Sequence, residues 1–182
     1  MNIHFRRNLA PDGTPETYEQ TFNRLMEERI IVQKGQKKDG SAIVFDELIY
    51  DVNSAYFEEN GGYEYAVKFF EEAYRCAVNE VGGEQYILSA ILHADERNKA
   101  LSEEMGKDIF HFHMHVVYVP VVEKKVYFKK NNKDPNLAGK LKEVISQISH
   151  WKKWPQRMPV ERNGKTIQLN SYSLLQDAFL NT

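Results

Sequence analysis

The run Ile109-Phe110-His111-Phe112-His113-Met114-His115-Val116-Val117-Tyr118-Val119 decides how the rest of the chain is read. It is rich in apolar, aromatic and β-branched residues and predicts a strand. Successive side chains of a strand point to opposite faces. His111, His113 and His115 therefore share one face, and Val117 and Val119 continue it. Phe110, Phe112 and Met114 face the opposite layer. A second predicted strand, Tyr86 to His93, precedes this one and is followed at once by Ala94-Asp95-Glu96. If the two strands are neighbours, His93 joins the same patch of imidazoles, with carboxylates close by.

Outward from these strands, the chain reads as alternating helices and strands. Thr14-Pro15-Glu16 has the form of a helix cap, a Pro at the first helical position and an acidic first turn, so a helix is expected to run to about Ile30. Gly35 to Gly40 reads as a polar, basic loop, and Ala42 to Val52 as a strand. Ala66, Phe69, Phe70, Ala73, Ala77 and Val81 recur at three- and four-residue steps, giving a helix with a buried stripe that starts at Gly61-Gly62 and stops at Gly82-Gly83. Arg97 to Met105 predicts a short charged helix stopped at Gly106. Val121 to Lys130 is expected to pair back as a hairpin. Pro135 to Trp151 is expected to be a helix with Leu137, Leu141, Ile145 and Ile148 on one face, and Tyr172 to Leu180 a last short helix. The sum is an α+β fold with a mainly antiparallel sheet flanked by helices.

Composition narrows the class. The 182 residues include ten Tyr, ten Phe and two Trp, enough bulk for a core, with 42% hydrophobic and 27% charged residues. These values exclude disorder or coiled coil as a whole-chain reading. The longest apolar run, Val116 to Val122, is too short to span a bilayer, and Met1 to Arg7 lacks the apolar core of a secretion signal. A single cysteine, Cys76, excludes an internal disulfide framework and a multi-Cys zinc site. It sits in the apolar helix stripe and reads as a packed thiol. A soluble, cytoplasmic protein of one domain over residues 1–182, with a core at about 42–155, is the expectation. Charge divides along the chain: residues 1–119 carry 12 Lys+Arg against 21 Asp+Glu, whereas residues 120–182 carry 12 against 5. The basic segment suits a polyanion, although a solvated face balancing the acidic half has the same composition.

Three imidazoles with nearby carboxylates have the chemistry of a metal centre with open positions. Half-buried histidines that only hydrogen-bond would leave the same pattern, and spacing alone does not separate the two. No phosphate loop, Gly-x-Gly-x-x-Gly or nucleophilic triad signature occurs.

The segments Ser89-Ala90-Ile91-Leu92-His93-Ala94-Asp95-Glu96 and His113-Met114-His115-Val116-Val117-Tyr118-Val119-Pro120 together resemble the third motif of the Mob/Pre (MobV-type) relaxases. Val44 to Ile49, Gly61-Gly62-Tyr63 and Gln147 to Trp154 resemble further segments of that family, so the likeness covers most of residues 2–180. It implies an HUH-endonuclease fold and a divalent ion, Mn²⁺ or Mg²⁺, held by His93, His113 and His115, with Glu96 and Asp95 beside it. It also implies DNA nicking by covalent transfer to a side chain, on a single-stranded or hairpin origin of transfer. Arg6, Arg7, Lys124, Lys125, Lys129 and Lys130 are candidate backbone contacts, and Tyr127 and Phe128 lie between the lysine pairs.

Two departures from the family pattern matter. The gap between Asp95-Glu96 and His113 is longer, and it leaves His111 as an extra alternating histidine, either beside the metal ligands or on DNA. The family's first motif, which carries its nucleophile, lies upstream of the segment that Met1 to Phe5 resembles, so a relaxase core without that motif is expected. Two other readings compete: a DNA-binding remnant that does not nick, and a three-histidine metallohydrolase acting on a small molecule.

Overall fold

The computed structural model describes residues 2–33 and 42–180. The polar loop expected at Gly35 to Gly40 lies outside the described residues. Four strands form the main sheet: β1 (Ile3–Arg6), β2 (Asp46–Asp51), β3 (Ile87–Arg97) and β4 (Phe110–Tyr118). Their order is β1-β3-β4-β2, and every neighbouring pair is antiparallel. The chain thus has the α+β fold with a mainly antiparallel sheet that the sequence predicts.

One face of this sheet is the core. Leu48 and Tyr50 of β2, Ala90 and Leu92 of β3, and Phe112, Met114, Val116 and Tyr118 of β4 are buried together. They meet a 20-residue helix, α3 (Gly62–Val81), whose Ala66, Phe70, Ala73, Ala77 and Val81 form the buried stripe. The three- and four-residue spacing of that stripe is why the helix forms and why it lies on the sheet. Gly82 ends it with φ 94, a left-handed position that glycine takes without penalty. A short helix that the sequence reading missed, α2 (Ser54–Asn60), inserts Phe57 between Phe70 and Phe112, each 5.6 Å away by ring centroid. Phe5 of β1 stacks on Tyr74 of α3 at 5.6 Å.

The first helix starts later than its Pro signal indicates. It is α1 (Tyr18–Glu27), capped by Thr17. The Gln20 amide donates to Thr17 Oγ1, and Gln20 Oε1 accepts from the Thr17 amide, a reciprocal capping box. Pro15 is taken instead by an isolated bridge to Leu9. Thr17→Ala should cost about 1 kcal/mol of stability, read from denaturant unfolding. A loss indistinguishable from zero would show that the cap does not hold this helix end.

Two expectations for the basic segment are overturned. Strand β5 (Val121–Tyr127) does not pair back on β4. It pairs with β6 (Leu141–Ile148), forming a separate antiparallel ribbon. β4 already has β3 on one side and β2 on the other, so no edge is left for β5. The predicted helix over 135–151 is β6 followed by the single turn α5 (His150–Lys153). Steps of four from Leu137 to Leu141 to Ile145 are also even steps, so they fit a strand face as well as a helix stripe. Pairing with β5 decides between them.

After α5, strands β7 (Met158–Arg162) and β8 (Lys165–Leu169) form a hairpin, also missed. Its turn, Asn163-Gly164, has φ 51 and φ 72 and is the two-residue turn that right-twisted strands prefer. The chain returns through α6 (Ser171–Leu180), whose Phe179 meets Tyr50 at 5.0 Å and Phe69 at 5.6 Å. No helix among the described residues is long and apolar enough to cross a membrane.

A candidate metal centre on the open face of the sheet

The face of the sheet away from α3 carries the histidines. In the register of β3 and β4, His93 lies opposite His113, and Ile91 opposite His115. Strand β2 continues the face, with Ile49 opposite His115 and Asp51 opposite His113. The ring centroids of His93, His113 and His115 form a nearly equilateral triangle of 5.1, 5.3 and 5.1 Å. One ligand-capable nitrogen from each lies within 4.8 Å of the others. These are the three residues that the family resemblance singles out. The centre borders apolar ground, with Ile49 more than half exposed beside it.

Carboxylates stand around the imidazoles. His115 Nδ1 is 2.7 Å from Glu47 Oε1. Glu96 Oε1 is 3.8 Å from His113 Nε2. His111 Nε2 faces Asp51 Oδ1 at 3.3 Å, and its Nδ1 meets the hydroxyl of Ser54 at 3.3 Å. A carboxylate on one ring nitrogen orients the imidazole and makes the other nitrogen a better ligand.

The two acidic residues that follow His93 part company. A register shift between His93 and Glu96 brings Glu96 opposite His111. Asp95 instead accepts from Asn2 Nδ2 at 3.0 Å, while Asn2 Oδ1 accepts from the Ala94 amide at 2.9 Å. Asn2 thus clamps the irregular end of β3 through Asp95 and the Ala94 amide.

His113 is the most deeply set of the three, with its Nδ1 buried and without a hydrogen-bond partner. Burial pushes its pKa below the usual histidine value, outweighing the opposite pull of Glu96. A neutral, buried imidazole with an unsatisfied nitrogen is costly unless something binds it. The donor set and this orphaned nitrogen therefore fit a divalent ion.

The long gap before His113 closes on itself. The Asn98 amide donates to the Ile109 carbonyl at 2.8 Å, and Ser102 Oγ accepts from the Ile109 amide at 2.9 Å. Between these closures sits α4 (Lys99–Met105). The excursion leaves β3 and β4 and rejoins them in register, so His93 and His113 still meet. Phe110, expected in the opposite layer, is exposed at the strand end, where the core cover stops, whereas Phe112 and Met114 are buried as expected.

The basic candidates are scattered. Arg6 is committed to the fold: its Nε donates to the Ile87 carbonyl at 2.5 Å, and its Nη1 lies 3.5 Å from Glu84. Arg7 is exposed. Lys124 and Lys125 point to opposite faces of β5, with Lys125 exposed and Lys124 half-buried, and Lys129 and Lys130 lie exposed in the β5–β6 connection. Tyr127 on the same ribbon is 56% exposed, and Val144 beside Lys125 is 50% exposed.

Glu47, Asp51 and Ser54 were not among the site candidates read from the sequence. Their signal was the two-residue step Glu47, Ile49, Asp51 on β2, which places both carboxylates on the histidine face. Asp46, one residue from Glu47, points the other way and binds His150 Nδ1 at 2.6 Å, tying α5 to β2. His150 is thereby accounted for as a structural partner. Trp154 is buried and donates from Nε1 to Tyr118 Oη at 2.6 Å.

An antiparallel sheet packed on helices, with a three-imidazole cluster on its open face, defines an α+β protein with a candidate metal centre. A family model described as plasmid recombination enzyme (Mob/Pre) matches residues 5–166, and the chain belongs to that family. The match includes all three clustered histidines. No curated protein and no solved structure matches the chain.

Proposed function

We propose that this chain is the metal-binding relaxase domain of a plasmid or mobile-element recombination enzyme, a single unit over residues 1–182 that nicks one strand of DNA in the cytoplasm. The observation that carries the reading is the triangle of His93, His113 and His115, inside the segment matched by the family. These three would hold a divalent ion. Three imidazoles favour Mn²⁺ over Mg²⁺, which prefers oxygen ligands. When bound, such an ion polarises the scissile phosphate and neutralises charge on its non-bridging oxygens. Glu47 orients His115, and Glu96 stands beside His113. Glu47 and Ile49 beside them are exposed, so a phosphate of a single strand can reach this part of the face. Burial of the His113 ring keeps that ligand unprotonated near neutral pH.

DNA contacts fall to the β5–β6 ribbon. Lys125, Lys129 and Lys130 offer charge to the phosphates, and Tyr127 offers a face to a base. Arg6, held by Ile87 and Glu84, contributes less. A Lys125→Ala, Lys129→Ala, Lys130→Ala variant should bind an origin-type hairpin more weakly, with its salt slope reduced by about one for each lysine that meets a phosphate in the parent. An unchanged slope in a fluorescence anisotropy titration would remove the ribbon from the DNA interface.

Nicking of supercoiled plasmid carrying a cognate origin, with and without Mn²⁺, tests the whole reading. Metal-dependent conversion to the open circle supports it. Metal-dependent DNA binding without nicking would make the chain a DNA-holding protein. Hydrolysis of small phosphoesters without DNA affinity would favour a metallohydrolase.

A further inference from the structure

His111 is the one member of the histidine row that the three-residue cluster leaves out, and nothing in the proposed function uses it. Its ring is not idle. The His113 imidazole lies between two others: His93 on one side, with centroids 5.1 Å apart and planes at 15°, and His111 on the other, at 5.0 Å and 28°. His111 itself is held at both nitrogens. Nδ1 meets Ser54 Oγ, and Nε2 faces Asp51 Oδ1, each at 3.3 Å. Ser54 is only 2% exposed and also receives the Asn98 Nδ2 donor at 3.4 Å. Both nitrogens are turned to protein groups.

We infer that His111 is a positioning residue: a slab latched by Asp51 and Ser54 that fixes the plane of the His113 ring. The arrangement has a physical reason. The His113 Nδ1 has no hydrogen-bond partner, so nothing polar on that side sets the orientation of the ring. A carboxylate or carbonyl usually orients a ligand imidazole. Glu96 does so loosely here, at 3.8 Å. Offset stacking between two flanking rings restricts ring rotation instead. The latch also connects α2, through Ser54, and the closure of the 98–109 excursion, through Asn98, to the metal ligand. This inference rests on the reading of His93, His113 and His115 as a metal site.

The test compares the parent with His111→Ala, His111→Phe and Ser54→Ala. Mn²⁺ isotherms are measured by calorimetry, and the ring-proton resonances of His113 are recorded in the metal-free proteins. The Ala variant should bind Mn²⁺ about 10-fold more weakly, the low end of the range for residues that orient a metal ligand. The Phe variant, which keeps a ring in the stack but has no nitrogen, should stay within about threefold of the parent, on the same reasoning. Ser54→Ala, which keeps the ring and its Asp51 contact, should lose no more than the Phe variant. In the metal-free protein, His113 resonances should shift downfield and broaden in the Ala variant but not in the Phe variant. Unchanged Mn²⁺ affinity and unchanged His113 resonances in His111→Ala would overturn the inference. So would equal losses in the Ala and Phe variants, because the nitrogen rather than the ring would then matter. A parent that binds no Mn²⁺ sinks the metal reading alone. The resonances still decide whether His111 fixes the His113 ring.

Discussion

A His113→Ala, His115→Ala double variant is expected to lose Mn²⁺ binding altogether while keeping its fold. The two side chains supply two of the three clustered nitrogens, and one remaining imidazole on an open sheet face is no better a ligand than an exposed histidine. The loss should exceed 100-fold, about 2.8 kcal/mol or more. The backbone of β4 is held by β3 on one side and β2 on the other, so its pairing does not depend on these rings. Removing the buried His113 imidazole also removes an unsatisfied polar atom, which offsets part of the loss of packing. Stability of the metal-free variant should therefore stay close to that of the parent. Calorimetric titration and thermal unfolding, each with and without Mn²⁺, read both quantities. Only the parent should gain melting temperature when the metal is added, by mass action. Equal stabilisation of both proteins would move the metal away from the histidines.

Phe57→Ala is expected to be the most damaging single substitution in the core. The ring is fully buried and meets Phe69, Phe70 and Phe112 at 5.4 to 5.6 Å. Truncation of a buried Phe costs roughly 3–5 kcal/mol through lost transfer energy and the cavity left behind. That is a large share of a typical domain's 5–15 kcal/mol or so. For a chain of this size it corresponds to a fall in melting temperature of roughly 6–20 °C. A second effect should follow. Phe57 backs Phe112, and Phe112 sits between His111 and His113 on β4. Loss of that support should weaken Mn²⁺ binding even below the melting transition. A loss under about 1 kcal/mol would mean that α2 collapses into the gap and that the ring is not the keystone of this layer.

The two experiments separate what holds the molecule from what it does. The core face of the sheet and α3 supply the stability, and the opposite face is free to carry polar, poorly satisfied groups. A strand delivers to both faces at once, which is why Phe112 and Met114 are buried in the core while His111, His113 and His115 stand on the other side.

Local pattern determined the strands β3 and β4, the long helix α3 with its glycine stop, the α+β class, and the three histidines with their shared face. Each rests on a period of two or of three to four residues, or on the left-handed freedom of a glycine, and these need no distant partner. Where two periods coincide, local pattern ran out. Leu137, Leu141 and Ile145 fit both a helix stripe and a strand face, and only pairing with β5 made β6 a strand. The same limit hid the partner of β5, because the sequence does not reveal that β2 already occupies the free edge of β4. It also hid the roles of the carboxylates. Asp95 and Glu96 are neighbours in sequence, yet at a register shift one is taken by Asn2 and the other stands beside His113. Glu47 and Asp51 reach the site from β2, a strand far upstream of the histidines they face. Residue types and spacing brought the histidines to notice, and the resemblance to the Mob/Pre motif singled out His93, His113 and His115 among them. Which groups surround these three was decided by strand order and register, because these set which distant side chains share a face.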